Sequence, residues 1–538
     1  MAFPFVSCKK DDAKPKSGAQ AMGKAYPKTA EESMQRLAPR VNSDVDLAVF
    51  VASYGVLTEI IEAVKAWGIV SGDEMDAVFN DLGVHYQLNP ARLDSYVKAG
   101  FRADGGLMLG SYKGSMLLLF EVDDATAFRQ FWDTFINEEY GRPRYHEEKV
   151  GGVNFVQINV LKRDACTLAL VDDLVFLFAG PAMLRGGADS LPVAKAYFEQ
   201  TAKETLADNP EFVKAKNMLG GRQIVIFASA ASALKRVVGE QYTAMVDSLF
   251  ESLSVGLNFE ESRLALRSVA KTKSGSAVDF SAFSAAAFDA ERARSILAGE
   301  PESSLRISFD SAKLEEMLLK MLPATVNSKW QGVKEKLEQR LLNIRLQSQI
   351  LDNFAGSLWF NIYGLNAEQM RGAKSLSDAL PAISAALFVP FSDPELSDVF
   401  FSKVNALRRL IPPERLNVEN VDGILIASTP ISPTLKLNLA YYHGLLAVFT
   451  DLGLEEVKSA VLGSKSLQNS QGYENLLSTE NNLALKIRVQ NVVQYLSVKY
   501  EIISVQLATF LAPLQEIEAS AKFADGTLSL EAELRIGE

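Results

Sequence analysis

The sequence predicts an α+β fold made of two similar repeats, each an antiparallel sheet with helices packed mainly on one face. Strand-like and helical stretches follow one another in the same order in both halves of the chain, and most strands are separated by short turns. Short turns favour antiparallel pairing, because parallel strands need longer crossover connections. The 538-residue chain is also longer than one hydrophobic core normally supports. We therefore expect repeats over 43–274 and 302–538, a linker over 275–301 and an N-terminal segment over 1–42.

Each repeat is expected to open with a strand and a helix. Alternating apolar residues predict a strand over 47–51, and apolar residues at helical spacing predict a helix over 57–67. The second half repeats this order, with a strand over 305–309 and a helix over 314–321. Asp310 lies between them and is expected to cap that helix.

A second strand and helix follow in each half. In the first half, a strand over 117–120 precedes an apolar helical stripe over 128–135. In the second half, a strand over 386–389 precedes a similar stripe over 396–404. Acidic, Ser or Pro residues stand before both stripes, which is the signature of a helix start.

Two pairs of turns align the halves. Val150-Gly151-Gly152-Val153 corresponds to Val421-Asp422-Gly423-Ile424, 271 residues later. Asp172-Asp173 corresponds to His443-Gly444 at the same offset. A Gly or Asp pair between alternating apolar residues is a hairpin signal, so these turns predict antiparallel strand pairs at matching places.

Each repeat is expected to close with a long helix and a hairpin. The first has a helix over 234–250 and a hairpin over 257–266, and the second has a helix over 492–514 and a hairpin over 521–530. The helix over 492–514 is broadly apolar. It is expected to pack between a sheet and the partner domain; the alternatives are a wall of a lipid-holding cleft and a surface for a protein partner.

The amino terminus resembles the end of a bacterial lipoprotein signal. A short apolar run ends in Ser7 directly before Cys8, and a charged run follows over 9–12. In such signals a small residue precedes the Cys that becomes the lipidated first residue. Phe5 stands where Leu is usual, and most of a complete signal peptide is missing. We take Cys8 as the expected lipid attachment site; the alternative is an ordinary terminus with a chance Cys.

The segment over 9–42 is rich in Lys, Ala, Ser, Gln and Pro. Such a segment buries too little apolar surface to offset the entropy of ordering it. A lipoprotein needs a flexible arm between the bilayer and its first domain. We therefore expect residues 1–42 to hold a signal remnant and a tether.

A resemblance to a known family rests on several short motifs. Leu37-Ala38-Pro39-Arg40-Val41, then Asp44 and Asp46 and a strand over 48–51, resemble the repeat opening of large bacterial lipoproteins known only as domains of unknown function. The turn at Gly151-Gly152-Val153 and the strand pair over 169–178 resemble the same family. The resemblance covers most of the chain. It implies export, lipidation and a duplicated α+β fold, and it supplies no catalytic residues.

Composition argues against several classes of function. The chain has 55 Lys and Arg against 66 Asp and Glu, and this net charge of -11 disfavours nucleic-acid binding, which depends on cations at phosphates. Two Cys exclude a disulfide scaffold, and with three His they leave little for a Cys/His zinc site. The glycine-rich stretch over 105–110 lacks the spacing of a phosphate-binding loop. No apolar run reaches the ~20 residues of a membrane span.

A few residues remain as candidates for chemistry. His146-Glu147-Glu148 is the best general acid/base or metal candidate, but the second His of a His-Glu-x-x-His site is absent, so an exposed loop is expected. His85 and His443 have no evident partners. The other candidates are expected to have structural roles, namely a turn at Asp172-Asp173, a helix cap at Asp123-Asp124 and a buried core thiol at Cys166.

The favoured function is that of a non-enzymatic lipoprotein of the bacterial cell envelope, periplasmic or at the outer-membrane surface. Acylated Cys8 would anchor it to the membrane, and its duplicated domains would form a binding or scaffolding module for another envelope protein. The alternative is a carrier that binds a lipid or other apolar ligand between the two repeats. No catalytic, cofactor-binding or metal-binding residue is predicted.

Overall fold

A computed structural model describes most of the chain after its first 25 residues. The described residues are 26–68, 71–183, 188–201, 204–228, 248–273, 280–283, 289–310, 313, 316, 352–372, 380–407, 412, 416–430, 436–450, 454–490 and 512–537. The chain divides into two compact units: unit 1 comprises residues 1–240 and 252–261, and unit 2 comprises residues 241–251 and 262–538.

Unit 1 alternates helices with short strands. Its described helices are α1 (Ala30–Leu37), α2 (Tyr54–Ala66), α3 (Gly72–Tyr86), α4 (Leu93–Lys98), α5 (Ala125–Tyr140), α6 (Ser190–Thr201) and α7 (Pro210–Leu219). Its described strands are β1 (Leu47–Val51), β2 (Leu107–Tyr112), β3 (Ser115–Glu121), β4 (Arg144–Val150), β5 (Val153–Val160), β6 (Arg163–Val171), β7 (Leu174–Ala179), β8 (Ile224–Ala228) and most of β9 (Phe250–Glu260).

These strands form an antiparallel sheet. Strand β1 lies between β2 and β8, and β8 pairs with β9. From β2 the sheet continues through β3, β7, β6 and β5 to β4. The antiparallel pairing predicted from the short turns is therefore confirmed.

Unit 2 has the same mixture of elements. Its described helices are α8 (Ala290–Ile296), α9 (Ala367–Gly372), α10 (Pro394–Leu407), α11 (Leu454–Leu462) and α12 (Glu474–Leu477). Its described strands are β10 (Arg263–Thr272), β11 (Ser303–Ser308), β12 (Ser357–Leu365), β13 (Ile383–Pro390), β14 (Asn417–Val421), β15 (Ile424–Pro430), β16 (Lys436–Tyr442), β17 (Leu445–Phe449), β18 (Leu483–Arg488), β19 (Leu514–Ala524) and β20 (Thr527–Ile536).

The sheet of unit 2 is also antiparallel. Strand β11 lies between β12 and β18. From β12 the sheet continues through β13, β17, β16 and β15 to β14, and from β18 it continues through β19 and β20 to β10. Both units thus combine helices with an extensive antiparallel sheet.

Helices cover both faces of β7 in unit 1. Phe176 packs against Phe198 of α6, with ring centroids 4.9 Å apart. The next residue, Leu177, points to the opposite face and shares a core cluster with Trp132 of α5. The predicted packing of helices mainly on one face is wrong for this strand. The reason is visible in Leu174–Ala179, since a continuous apolar run is typical of a strand buried on both faces.

Strand β15 of unit 2 is covered in the same manner. Ile426 shares a core cluster with Val457 and Val461 of α11. Its neighbour Leu425 faces the other way and packs in a cluster with Phe401 of α10. Helix α10 and helix α11 therefore lie on opposite faces of this strand.

Residues from Ala30 onward are part of the folded unit. Ala30, Met34 and Leu37 of α1 are fully buried, and Arg36 forms an ion pair with buried Glu121 of β3. The tether predicted over 1–42 is therefore wrong for residues 30–42. The segment has few apolar residues, but their spacing of three to four residues places them on one helix face.

The end of the predicted linker over 275–301 is also folded. Helix α8 lies within it, and Ala293, Ile296 and Leu297 are buried in the core of unit 2. Three of the helices predicted from the sequence lie almost wholly outside the described residues, namely those over 234–250, 314–321 and 492–514. Among the described residues, no helix is long and apolar enough to cross a membrane.

Candidate functional site

Cys8, the predicted lipid attachment site, lies outside the described residues. The other candidate residues lie in the described part of the chain, and most of them have structural roles. The part of the chain that the structure describes contains no group of three His, Cys, Asp or Glu residues arranged to hold a metal ion.

His146 lies on an exposed edge of the sheet of unit 1. It belongs to β4, where the residues from Arg144 to Glu147 are exposed. His146 Nε2 is 3.9 Å from Glu148 Oε2, and Lys195 Nζ lies 2.7 Å from the same carboxylate oxygen. These charges line a strand edge rather than the loop that was expected. Charged edge strands oppose pairing with other chains.

The paired aspartates have the structural roles predicted for them. Asp124 accepts hydrogen bonds from the backbone N–H groups of the first turn of α5, so it is the helix cap. Asp172 occupies the turn between β6 and β7 with φ of 55°. Asp172 pairs with Arg40 and Asp173 with Arg102, which ties this turn to neighbouring segments of unit 1.

Cys166 is a buried core thiol. Its side chain is fully buried among apolar neighbours that include Trp132. Burial raises the pKa of the thiol to about 12. A nucleophilic cysteine needs a lowered pKa and an accessible sulfur. Cys166 has neither property.

A polar cavity lies in unit 2. It has a volume of about 450 Å³ and is formed by α10, the β14–β15 turn and the end of β16. Its described lining residues are Asp398, Phe401, Ser402, Asn405, Asn420, Gly423, Leu425, Tyr441, Tyr442 and His443. A pocket of this size falls at the small end of the range for small-molecule sites, about 300–1,000 Å³.

Tyr441 is the centre of the hydrogen-bond network at this cavity. Its hydroxyl donates to Asp398 Oδ1 at 2.5 Å, lies 2.8 Å from Ser397 Oγ and accepts from the backbone N–H of Gly444 at 3.1 Å. Its ring stacks on Phe401, with centroids 3.8 Å apart. Burial, followed by the hydrogen bond to Asp398, raises the pKa of Tyr441 to about 12. Tyr441 therefore stays protonated and donates to the carboxylate.

The turn between β16 and β17 positions His443 beside Asp398 of α10. The φ of 37° at His443 is left-handed, and Arg292 donates hydrogen bonds to the carbonyl oxygens of His443 and Gly444. In this position His443 Nδ1 lies 3.4 Å from Asp398 Oδ2. This pair was not predicted, because the two residues are far apart in the chain and no periodic pattern links them. The one available signal was Asp398, an acidic residue within the predicted helix over 396–404.

The residues Ser397, Asp398 and His443 do not form a catalytic triad. Ser397 is fully buried, and its hydroxyl bonds to the first turn of α10 and to Tyr441. A triad needs a serine hydroxyl that is exposed to substrate and hydrogen-bonded to the histidine. The geometry is better suited to holding the Asp398 carboxylate at the cavity wall.

A second polar cluster in unit 2 is buried. Lys486 of β18 donates to the carbonyl oxygen of Gly472 at 2.6 Å and lies 3.1 Å from Glu516 Oε2. Arg535 of β20 lies 3.2 Å from Glu516 Oε1 and 3.3 Å from Glu518 Oε1. Two cations thus lie against two carboxylates on neighbouring strands, as expected of a structural charge network.

Comparison with known proteins adds little. No protein-family model matches the chain, and no curated protein matches it. Crystal form III of TP0453 is 8% identical over 45% of this chain and 82% of that chain, with a TM-score of 0.27. Crystal form IV of TP0453 is 9% identical over 44% of this chain and 79% of that chain, with a TM-score of 0.26. These scores are too low to support an inference about fold or function.

Proposed function

We propose that the protein is a non-enzymatic lipoprotein of the bacterial cell envelope, anchored through acylated Cys8. In this proposal its two halves are copies of one α+β module, and the protein binds another envelope protein. The anchor is supported by Ser7-Cys8 and the charged residues that follow it. The resemblance to duplicated lipoproteins of unknown function supports the same assignment.

The order of strand pairing supports the duplication. In the first half β1 lies between β2 and β8, and the sheet runs from β2 through β3, β7, β6 and β5 to β4. In the second half β11 lies between β12 and β18, and the sheet runs from β12 through β13, β17, β16 and β15 to β14. Unrelated segments have many other antiparallel orders available to them. A shared origin explains the agreement most simply.

The observation that carries the binding function is the cavity beside α10. It combines a partly exposed carboxylate with aromatic walls, and Leu396 and Val399 on the same helix are 40% and 46% exposed. Exposed apolar side chains on a helix that also lines a concave pocket are typical of surfaces that bind a partner. We therefore place partner binding on α10 and the cavity.

Photocrosslinking in the source organism tests this placement. A photoreactive phenylalanine analogue at Val399 is expected to give a discrete adduct with one envelope protein. The matched control carries the analogue at Leu462, which is 36% exposed on α11. An absence of adducts at 399, or the same adducts at both positions, would contradict the proposal.

Mass spectrometry of the amino-terminal peptide tests the anchor. In protein purified from the source organism, Cys8 is expected to carry a diacylglyceryl group, with or without a third acyl chain. The Cys8→Ala variant is expected to leave the membrane fraction. An unmodified Cys8 in the native protein would overturn the proposed location and would leave the crosslinking result to stand by itself.

A further inference from the structure

We propose that the cavity beside α10 binds a guanidinium or ammonium group, with Asp398 as the anionic partner and Tyr442 as an aromatic wall. This inference rests on the proposed function, because it takes the cavity as the place where recognition occurs. It adds the chemical class of the ligand.

The charge of the cavity selects a cation. Among its described lining residues, Asp398 is the one carboxylate, and none is Lys or Arg. Arg292 of α8 lies nearby, but its guanidinium donates to the backbone carbonyls of His443 and Gly444. A phosphate or carboxylate ligand would therefore meet the Asp398 charge with no described lining Lys or Arg to offset it. A cationic ligand would meet an attractive charge.

Asp398 keeps hydrogen-bonding capacity for a ligand. Its Oδ1 accepts from Tyr441 at 2.5 Å, and its Oδ2 lies 3.4 Å from His443 Nδ1. A carboxylate has about four lone-pair sites, so each oxygen retains one. The side chain is 45% exposed, so a ligand can reach it. The bond from Tyr441 also fixes the orientation of the carboxylate, which reduces the entropy cost of forming a two-bond contact with a guanidinium.

The other walls suit a planar cation as well. Tyr442 lines the cavity with a side chain that is 38% exposed, and a guanidinium or ammonium group is attracted to such a ring face. Asn405 and Asn420 place amide groups on the wall. Leu425 supplies apolar surface for the stem of an arginine or lysine side chain.

The cation has two sources with the same chemistry. It is either an arginine or lysine side chain of the envelope partner or a free small molecule such as a diamine or agmatine. The partner side chain is favoured by Leu396 and Val399, exposed apolar residues on the helix that carries Asp398, because a free amine has nothing to place on them. The experiment separates the two sources by comparing a peptide with agmatine.

Fluorescence polarisation with the full chain tests the proposal. The probes are fluorescein-labelled Gly-Gly-Arg-Gly-Gly and the same peptide with citrulline, which has the shape of arginine without its charge. The arginine peptide is expected to bind about tenfold or more tightly than the citrulline peptide, because a charge-assisted pair is lost in the latter. Asp398→Asn is expected to remove this difference, and Tyr442→Ala is expected to weaken arginine binding. Glu455→Gln, an 81% exposed carboxylate on α11, is the matched control and is expected to change nothing.

The outcomes separate this inference from the proposed function. Equal binding of the arginine and citrulline peptides to the unmodified protein would overturn the cation assignment, even if crosslinking at Val399 succeeds and the binding function stands. Selectivity that survives in a folded Asp398→Asn protein would also overturn it. Agmatine that competes as strongly as the peptide would identify a free amine as the ligand. Weak competition by agmatine would support a side chain of the partner.

Discussion

Lys486 and Glu518 occupy directly opposite positions on β18 and β19, with Nζ 3.9 Å from Oε1, and both side chains are almost fully buried. Glu516 lies two residues from Glu518 on the same face of β19. Burial, followed by the hydrogen bond with Glu516, raises the pKa of Glu518 to about 7. The positive charges of Lys486 and Arg535 are insufficient to reverse this shift. Glu518 therefore takes up a proton near neutral pH.

The raised pKa of Glu518 predicts a stability that falls as pH rises. Between the usual glutamate pKa of about 4.5 and the folded value of about 7, the folded protein binds the proton and the unfolded chain does not. The free energy of unfolding is therefore expected to decrease over this window, and the contribution is fully lost above about pH 7. The size of this contribution is on the order of 1–3 kcal/mol.

Urea denaturation of Glu518→Gln from pH 4.5 to 8 measures this contribution. The neutral amide is expected to flatten the fall, so the variant gains stability relative to the unmodified chain as pH increases. Glu531→Gln is the control, because Glu531 pairs with Arg267 at an exposed position on β20. A constant stability difference between Glu518→Gln and the unmodified chain over the whole range would contradict the prediction.

Gly472 lies against the same charge cluster, and a side chain at this position is expected to destabilise the protein. Its φ of 76° is left-handed, and a Cβ built on it would lie 2.6 Å from Lys486 Nζ. Gly472→Ala should therefore strain the backbone and push Lys486 away from its acceptor, at a cost of about 1–3 kcal/mol. Thermal unfolding of Gly472→Ala and of Gly221→Ala, where a Cβ meets open space, provides the measurement. Equal losses in the two variants would count against this account.

Much of the secondary structure could be predicted from the sequence because its signals are local. The strand over 47–51 coincides with β1, and the turns at Gly151-Gly152 and Asp422-Gly423 connect β4 to β5 and β14 to β15. All four turn residues have positive φ, which is the conformation that Gly and Asp adopt most readily. A chain segment that must reverse in two residues leaves such a mark whatever surrounds it.

The cavity could not be predicted because its contacts join distant segments. Tyr441 meets Asp398 only when β16 packs against α10, and neither residue interrupts the apolar pattern of its own element. The burial of strands on both faces was not predicted either. A strand with one exposed face alternates apolar and polar residues, whereas Leu174–Ala179 is a continuous apolar run. The folded start of the chain was missed since the buried residues of α1 are few among polar neighbours.

The ion pair between Arg36 and Glu121 is expected to hold α1 on unit 1. Arg36 Nε and Nη2 donate to the two carboxylate oxygens at 2.8 and 3.0 Å, and Glu121 is 2% exposed. Arg36→Ala leaves a buried carboxylate with fewer donors and should cost about 1–3 kcal/mol. Arg40→Ala removes only the exposed pair with Asp172 and should cost less than about 1 kcal/mol. Urea denaturation of both variants gives the comparison, and an Arg36 loss no larger than the Arg40 loss would refute the assignment.

The thiol of Cys166 is expected to resist modification as long as unit 1 is folded. Two causes act together, since the sulfur is fully buried and burial raises the thiol pKa to about 12, so little thiolate exists at pH 8. In a Cys8→Ser variant, a thiol reagent at pH 8 should leave Cys166 unmodified over the time in which the urea-unfolded chain reacts completely. A cysteine at exposed Ser466 in the same background is the control and should react in the folded protein. Rapid modification of Cys166 in the folded chain would mean that the core formed by α5 and β6 opens readily, and would contradict the burial described for it.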